Sequence, residues 1–482
     1  MKNISGSSPR TNTDSHLNDD RRRFIKAAAS TVASVPLIGH AAAASDAANR
    51  PYDTIVIGGG FAGVTAARET SQRGLKTLLL EARPRLGGRT LTLDLGGHDL
   101  DVGGTWVGWS QPHVWAEVMR YGLPIDESAA AAADRAVWMS NGQRKEGPYT
   151  EYAKLFQTAT DAFYAPARQA FPRPFDPLFV SGSEKLDAIS AAQAVAQLEL
   201  HPTERDLALS LAAINGHARA QDSSYLDQMR WIALGDFDVW NMFDNLARYR
   251  IRGGTKRLLN RIHKDSRAET RLNTPIRSVR QSQGQVVVTS TTGDTYQARR
   301  LIVAVPLNCL ADIEFEPALN ARKLRVSGER HTGSGTKLYA QIKGKKPLFV
   351  GHGTEAMPLC FLWTEYDDAD SQILVGFGTS YDLLDVNSEE AVVNAVRDYL
   401  PDAEVTDFYT YNWNIDPYAK GTWCMYRPNV LTQDFEALQQ SESLIHFAGA
   451  DIANGWRGFI DGAIESGLTS ARAVADAIQT DA

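Results

Sequence analysis

The chain has 482 residues, of which 43% are hydrophobic and 22% are charged. This is the composition of a folded protein of about three domains, and it excludes a disordered chain or a bundle of membrane helices. The formal net charge of -7 argues against nucleic-acid binding, because neutralising phosphates requires clustered Lys and Arg. Three cysteines are too few for a disulfide framework, and the ten histidines lack the spacing of metal ligands, so no metal is expected.

Residues 1–44 are predicted to be a secretion signal rather than part of the fold. The arginines Arg21 to Arg23 precede Phe24 and a weakly apolar, uncharged stretch at 27–44 that ends in three alanines. That stretch is too short and too weakly apolar to span a bilayer stably, and its end is typical of signal cleavage. The pattern resembles a bacterial twin-arginine signal, which predicts a periplasmic protein that is exported already folded and has no stable membrane span. A flexible basic tail is the alternative interpretation.

The folded part opens with the pattern of a nucleotide-binding βαβ unit. A buried strand is followed at once by a GxGxxG sequence, then by a helix and by a second strand that ends at Glu81. Gly58 permits a tight turn, Gly60 lets the backbone approach a pyrophosphate, and Gly63 lets helix and strand pack closely. Free N–H groups at the helix N-terminus would bind the phosphates, and Glu81 would accept a hydrogen bond from a ribose hydroxyl. A dinucleotide site is therefore predicted, with a Gly-rich turn in a purely structural unit as the alternative.

The residues that follow favour FAD over NAD. Residues 81–89, with the sequence EARPRLGGR, resemble the second FAD fingerprint of the flavin amine oxidase family. In that family the Gly-Gly-Arg turn packs on the FAD diphosphate, and Arg89 would supply positive charge to it. Three further segments resemble the family's loop along the isoalloxazine ring and its two C-terminal flavin motifs: 103–106, 447–451 and 456–463. The resemblance runs from about Tyr52 to about Ala477.

The resemblance implies an α/β fold in which a Rossmann-like FAD-binding domain is interleaved with a mixed α+β substrate domain, as in monoamine oxidases. The FAD-binding domain is predicted at residues 45–110, 230–306 and 407–482. The substrate-binding domain is predicted at 111–229, which looks mainly helical, and at 307–406, which mixes strands and helices.

The glycine motif and the resemblance together give one set of FAD-binding candidates: Gly58, Gly60, Ala62, Gly63, Glu81, Arg83, Gly88, Arg89, Gly104, Thr105, Trp106, Val279, Asp451, Trp456 and Ile460. By resemblance, the backbone of Val279 lies beside the adenine, and Asp451 replaces the family's usual Glu near the ribityl chain. A buried helix is predicted from about Gly462, with Asp461 as its N-cap. Its N-terminus would stabilise the negative charge of reduced flavin.

Three residues are implied by the resemblance to carry the chemistry. Trp423 and Phe459 align with the two walls of the family's aromatic cage, whose ring faces suit an amine or a developing iminium. Lys337 aligns with the lysine that reaches flavin N5 through water. Trp109 and Trp363 are candidates for stacking on a flat substrate group such as a pyridine. Core packing of the aromatic residues, and exposure of the lysine to solvent, are the alternatives.

FAD is predicted to be bound non-covalently. Many monoamine oxidases attach it to a Cys just before the first cage residue, and here that position is Thr422. Cys424 lies one residue beyond Trp423, where a strand would point it to the opposite side. No second GxGxxG occurs, so the substrate itself is expected to reduce the flavin. Oxygen or a periplasmic electron carrier such as cytochrome c would reoxidise it, and the oligomeric state, including a homodimer, stays open.

Within the family, the sequence most resembles bacterial nicotine-degrading amine oxidases, on stretches that include 215–217 and 451–459. The predicted reaction is formal hydride transfer from the carbon beside the amine nitrogen to flavin N5, followed by hydrolysis of the iminium to an aldehyde and methylamine. Phe459, where nicotine oxidoreductases carry Asn, favours an open-chain secondary amine similar to pseudooxynicotine. Nicotine and a broad range of monoamines are the alternatives. L-amino acids are a further one, with Arg230 or Arg457 as the partner of the carboxylate.

Overall fold

The computed structural model describes residues 51–481, so the predicted export signal at 1–44 lies outside the described residues. Within them the strands are, in chain order, β1 (Tyr52–Ile57), β2 (Thr77–Leu80), β3 (Thr92–Leu95), β4 (His98–Asp101), β5 (Ile125–Glu127), β6 (Arg135–Ser140), β7 (Gln143–Pro148), β8 (Tyr249–Ile251), β9 (Glu269–Arg271), β10 (Ile276–Ser282), β11 (Gln285–Ser290), β12 (Thr295–Val303), β13 (Glu314–Glu316), β14 (Thr336–Lys343), β15 (Phe349–His352), β16 (Phe361–Asp367), β17 (Ser371–Gly378), β18 (Val405–Thr410) and β19 (Ile445–Phe447). The α-helices of the same part of the chain are α1 (Phe61–Gln72), α2 (Pro112–Arg120), α3 (Tyr149–Phe163), α4 (Ala167–Ala170), α5 (Glu184–Asp187), α6 (Ala191–Ala196), α7 (Pro202–Gly216), α8 (Tyr225–Leu234), α9 (Val239–Phe243), α10 (Thr255–Asp265), α11 (Ala321–Glu329), α12 (Glu389–Arg397), α13 (Val430–Gln439) and α14 (Ile460–Thr480). Across these residues, no helix combines the length and the hydropathy that crossing a bilayer requires.

The first sheet carries the nucleotide-binding pattern. Its strand order is β13-β10-β11-β12-β1-β2-β9, with β19 paired to β12. β1 runs parallel to both β12 and β2, so the carboxyl ends of these strands lie at one edge of the sheet. Ile55 and Val56 of β1 pair with Leu301 and Ile302 of β12 and are fully buried, as the apolar run of a parallel strand requires. α1 connects β1 to β2 and packs against α14.

The second sheet is mostly antiparallel, in the order β18-β14-β17-β16-β15-β6-β7. β14 pairs with β17 so that Lys337 lies opposite Phe377. β16 pairs with β15 and β17, and its register with β17 shifts between Thr364 and Tyr366. The chain leaves the first sheet for the second and later returns to it. The predicted α/β fold of two interleaved parts is thereby confirmed.

The strand pairing and the helix bounds disagree with three of the predicted domain boundaries. β18 crosses the boundary at 406/407 and belongs to the second sheet, because it pairs with β14. β13 lies within 307–406 but pairs with β10 of the first sheet. α8 runs unbroken across the boundary at 229/230, and the segment 111–229 supplies β6 and β7 besides its helices. These assignments depend on pairing between strands that are distant in sequence, and local sequence patterns do not predict such pairing.

The turn between β1 and α1 depends on two glycines. Gly58 has a φ of 104°, and a Cβ there would lie 2.6 Å from the carbonyl oxygen of Ala304. A Cβ on Gly63 would overlap the carbonyl oxygen of Gly58, so α1 approaches the end of β1 more closely than any side chain permits. This geometry agrees with the tight turn and the close packing that the sequence predicts.

The C-terminal helix differs from the prediction in how it begins. α14 starts at Ile460, with Phe459 as its N-cap, about two residues earlier than expected. The Asp461 carboxylate does not cap its own helix. It accepts hydrogen bonds from the backbone N–H groups of His113 and Val114, at 2.7 and 2.8 Å, at the start of α2. A carboxylate in that position satisfies free N–H groups and stabilises the positive end of α2.

Candidate active site

One large cavity is lined by residues from both sheets and from the loops at their ends. One end is formed by the glycine loop after β1, by Glu81 and by the turn at 87–90. The other end is formed mainly by aromatic and aliphatic side chains, among them Ile214, Trp231 and Phe243. The cavity therefore joins a polar cleft to an apolar compartment.

Glu81, which is almost completely buried, organises the polar end. Its carboxylate accepts hydrogen bonds from the backbone N–H of Gly59 at 2.6 Å and of Arg83 at 2.8 Å. These bonds hold the glycine loop against the segment 81–89. A Cβ on Gly88 would lie 3.2 Å from the Cα of Gly60, so the two loops meet at glycines. A narrow cleft with bare backbone and a carboxylate beside it fits the diphosphate and ribose of a dinucleotide.

Two arginines bring positive charge to the polar end. Arg83 pairs with Asp416 at 2.5 Å, and Arg89 pairs with Asp451 at 2.7 Å while it donates to the Thr422 carbonyl at 2.9 Å. Burial alone would raise the pKa of Asp451, but Arg89, His331 and the backbone N–H of Leu307 together outweigh burial and hold that pKa below its usual value. Asp451 therefore stays ionised and orients Arg89, although it does not itself line this cavity.

Most of the predicted site residues line this cavity: Gly58, Gly60, Ala62, Glu81, Arg83, Gly88, Arg89, Gly104, Thr105, Trp106, Lys337, Trp363, Trp423, Phe459 and Ile460. Gly63 and Asp451 do not line the cavity, but they contact Gly58 and Arg89, which do. Trp456 does not line the cavity either; its ring packs edge-on against Phe459, which does, with 5.2 Å between ring centres.

Two predicted residues lie elsewhere. Val279 pairs with Val288 of β11 and is buried in the core, whereas Ile276, three residues earlier, lines the cavity. Ile276 is thus the better candidate for the role assigned to Val279. Trp109 is half exposed and packs on Tyr249, with 5.0 Å between ring centres, outside the cavity. Its position gives no support to a substrate-binding role.

The first aromatic wall is Trp423. Its indole N–H donates to the Asn215 carbonyl at 2.7 Å, and its ring stacks on His217 with 3.9 Å between centres and 3° between planes. Nε2 of His217 lies 3.2 Å from the backbone carbonyl oxygen of Thr336, which can only accept, so Nε2 carries the proton and donates. Nδ1 therefore accepts from the Thr422 hydroxyl at 2.8 Å. Burial lowers the pKa of His217 to about 3, so the imidazole is neutral near pH 7.

Sequence reasoning did not identify His217 as a site residue. It caps the C-terminus of α7 in the left-handed region, with a φ of 45°. The sequence Asn-Gly-His at 215–217 is typical of a helix end, but it does not indicate where the ring points. Only the tertiary fold brings the imidazole behind Trp423.

The second aromatic wall is Phe459, the residue that precedes α14. Its ring packs against Trp231 in a T-shaped contact, with 4.9 Å between centres. Phe377 also lines the compartment; it stacks on Trp363 at 5.4 Å and lies 6.0 Å from Trp423. The apolar end is therefore built from rings that hold one another in place.

Lys337 lines the cavity beside these rings, near the start of β14. Its Nζ donates to the carbonyls of Asp101 at 2.7 Å and Gly103 at 3.1 Å and to the Thr105 hydroxyl, and it lies 4.4 Å from the centre of the Trp106 ring. Burial lowers the pKa of Lys337, and the carboxylates of Asp101 and Glu365 oppose this shift only in part. A buried lysine of lowered pKa in a cavity is a candidate for proton-linked chemistry, and it is not a solvent-exposed strand residue.

The two arginines considered as partners for a substrate carboxylate do not line the cavity. Arg457 pairs with the buried Asp227, and Arg230 lies 3.5 Å from the same carboxylate while it donates to the Asn454 carbonyl at 2.9 Å. The aromatic end of the cavity therefore has no arginine among its described residues.

The glycine loop, the two sheets and the cavity between their residues define a flavin-dependent oxidoreductase of amines. Residues 61–475 match the family described as flavin containing amine oxidoreductase, and the chain belongs to that family. The family predicted from the motifs is therefore confirmed, and with it a flavin cofactor.

Two relatives cover most of the chain. Pseudooxynicotine dehydrogenase from Pseudomonas sp. is 42% identical over 424 residues, which are 87% of this chain and 85% of the relative. Nicotine dehydrogenase from Pseudomonas putida is 36% identical over 466 residues, covering 94% of this chain and 96% of the relative.

Solved structures share the fold. Cyclohexylamine oxidase from Brevibacterium oxydans IH-35A has a TM-score of 0.78 at 22% identity and covers 89% of this chain and 100% of its own. Wild-type putrescine oxidase bound to putrescine has a TM-score of 0.77 at 23% identity and covers 89% of this chain and 99% of its own. The predicted amine oxidase architecture is thereby confirmed.

Proposed function

We propose that the protein is an FAD-dependent oxidoreductase of a secondary amine, with a pseudooxynicotine-like N-methylamine as its substrate. The observation that carries the proposal is the apolar end of the cavity, where Trp423 and Phe459 lie with Trp363 and Phe377 and where no arginine is found among the residues that the structure describes. The 42% identity to pseudooxynicotine dehydrogenase supports the choice of substrate class.

FAD would be held by the residues of the polar end. The glycine loop and Arg89 would bind the diphosphate, Glu81 would accept from a ribose hydroxyl, and the segment 103–106 would lie along the ring system. When bound, FAD supplies the acceptor for the hydride that leaves the amine.

The aromatic compartment would bind the amine in its neutral form, because removing an ammonium ion from water disfavours the charged state. The faces of Trp423 and Phe459 would attract the positive charge that develops as the carbon beside the nitrogen loses a hydride. The same two rings would restrict how the substrate lies, which lowers the entropic cost of the reaction. Water then adds to the iminium, the C–N bond breaks, and an aldehyde and methylamine leave.

Nicotine is the second candidate substrate, supported by the 36% identity to nicotine dehydrogenase. Phe459 favours an open-chain secondary amine over this cyclic tertiary amine. An L-amino acid is disfavoured, because Arg230 and Arg457 are held by Asp227 outside the cavity.

Anaerobic mixing of the yellow holoenzyme with single amines tests the proposal. We expect pseudooxynicotine to bleach the visible flavin absorbance and to release methylamine, and we expect nicotine and benzylamine to act more slowly. L-leucine should leave the flavin oxidised. Faster bleaching by L-leucine, or no bleaching by any amine, would contradict the proposed reaction.

Acid precipitation is expected to release the flavin into the supernatant. Thr422 has no thiol, and Cys424 lies outside the cavity with its Sγ 3.8 Å from the Asp451 carbonyl. Cys309 lines the cavity, but burial raises its pKa to about 12, which keeps the thiol protonated. A Thr422→Cys variant gives the comparison, since it places a thiol where covalent members of the family carry one. Colour that stayed in the wild-type pellet would rule out non-covalent binding.

We further propose that the protein acts in the periplasm, supported by the twin-arginine pattern in residues 1–44. Oxygen or a periplasmic electron carrier such as cytochrome c would reoxidise the flavin. Admitting air to the amine-reduced protein distinguishes these two electron acceptors. Rapid return of the colour would indicate oxygen. Slow return that oxidised cytochrome c accelerates would indicate an electron carrier.

A further inference from the structure

Glu365 is a buried carboxylate that the proposed reaction does not use directly. It lies on β16 where the register with β17 shifts between Thr364 and Tyr366, so it is the extra residue of a β-bulge. Its side chain is 0% exposed, yet it does not line the cavity. Because an unpartnered buried carboxylate is costly, the groups that bind it indicate its role.

Two of those groups are indoles of the cavity wall. One Glu365 oxygen accepts from Nε1 of Trp363 at 3.0 Å, and the other accepts from Nε1 of Trp106 at 3.3 Å. Trp363 stacks on Phe377, and the Trp106 ring faces the Lys337 ammonium group at 4.4 Å. One carboxylate thus fixes the rotation of two rings that face the cavity.

The remaining partners connect Glu365 to another part of the wall. Arg250 donates at 3.2 Å to the oxygen that accepts from Trp106 and supplies the opposite charge, and the Ser128 hydroxyl lies 2.6 Å from the oxygen that accepts from Trp363. The backbone N–H of Ser128 donates to the Arg248 carbonyl at 2.8 Å, in the π-helix Asp244–Arg248. Two residues of this π-helix line the cavity, so Glu365 links three separate segments of its wall.

We propose that Glu365 is a positioning residue of the amine site, which orients the indoles of Trp106 and Trp363 so that their rings close the aromatic compartment. The inference rests on the proposed oxidation of an amine in this cavity. The two oxygens of a carboxylate offer acceptors to both indole N–H groups at once. A glutamine of the same shape has a single oxygen acceptor, so one indole would face an NH2 donor.

Glu365→Gln is therefore expected to raise the apparent Kd of pseudooxynicotine in anaerobic flavin reduction by about tenfold. The limiting rate should change by a smaller factor than the Kd, because Glu365 lies outside the cavity and acts on Lys337 only through its charge. Glu365→Asp keeps both acceptors and should recover part of the affinity.

A double-mutant cycle separates positioning from general damage. Trp363→Phe removes one of the same N–H donors, so the effect of Glu365→Gln should shrink in that background. The near-ultraviolet circular dichroism of the tryptophans should change in Glu365→Gln without any substrate. Glu117→Gln is the matched control: Glu117 is buried, binds Arg68 at 2.6 and 2.7 Å, and lies outside the cavity. It should lower stability and leave the Kd unchanged.

An unchanged Kd and an unchanged dichroism spectrum in folded Glu365→Gln protein would overturn the proposal. Full additivity with Trp363→Phe, or an equal loss of affinity in Glu117→Gln, would overturn it as well. If pseudooxynicotine does not reduce the wild-type flavin, the substrate proposal fails, while the dichroism comparison still decides the role of Glu365.

Discussion

Substituting Lys337 by Met is expected to slow anaerobic flavin reduction by the amine about a hundredfold or more, while the flavin stays bound. The lysine is buried in the cavity wall, where its Nζ is fixed by the carbonyls of Asp101 and Gly103. Methionine fills a similar volume but cannot donate a hydrogen bond or carry a proton. Stopped-flow absorbance measures the rate, and the ratio of flavin to protein shows whether the cofactor is retained.

Lys343→Met is the matched control for this prediction. Lys343 lies on the same strand, but its side chain is 66% exposed and pairs with Glu404 at the surface. The control should reduce its flavin at the wild-type rate. A Lys337→Met rate within about threefold of wild type would show that the reaction does not need this lysine.

Replacing Gly63 by Ala is expected to give a protein that is purified with little or no flavin. An added Cβ would overlap the carbonyl oxygen of Gly58, so α1 could not keep its approach to the end of β1. The glycine loop that forms the polar end of the cavity would shift with it. The visible absorbance of the purified protein, and its recovery on adding FAD, measure the effect.

Gly328→Ala controls for the loss of a glycine as such. Gly328 lies in α11, and a Cβ there would meet no atom from outside its own helix within 4 Å. This variant should keep its flavin. A Gly63→Ala protein with a full complement of flavin would contradict the role given to the close approach at that position.

The polar end of the cavity was largely predictable from the sequence, because its geometry is local. Gly58, Gly60 and Glu81 belong to one continuous βαβ unit, and the residues up to Arg89 follow directly. Local turns, a helix start and a strand end suffice to place such residues beside one another. Trp423, Phe459 and Lys337 were also predictable, because each lies in a short stretch that resembles a motif of the family.

The supporting side chains were not predictable, because their contacts are long-range. His217 binds Thr422 across 205 residues of sequence, and Glu365 accepts from Trp106 across 259. The stretch 215–217 carries part of the family resemblance, but it does not show where the His217 ring points, and no motif marks Glu365. Each residue is placed by an irregular feature: a left-handed helix end and a β-bulge. Such features depend on the completed fold.

Side-chain direction explains the two misplaced candidates. Val279 belongs to a strand pattern that predicts burial, but it does not tell which strand residue reaches the cavity, and Ile276 does so instead. Trp109 is only three residues beyond Trp106, yet the loop turns it to the surface. Sequence proximity to a motif residue is therefore weak evidence for a place in the site.

A crystal structure of the flavin-loaded protein would test most directly whether the cavity is the catalytic site. We expect the flavin ring system beside Gly104 and Trp106, with the side chains of Trp423 and Phe459 facing the same reactive side and Lys337 nearby. A ring bound elsewhere, or Trp423 and Phe459 turned away from it, would contradict the assignment of this cavity to amine oxidation.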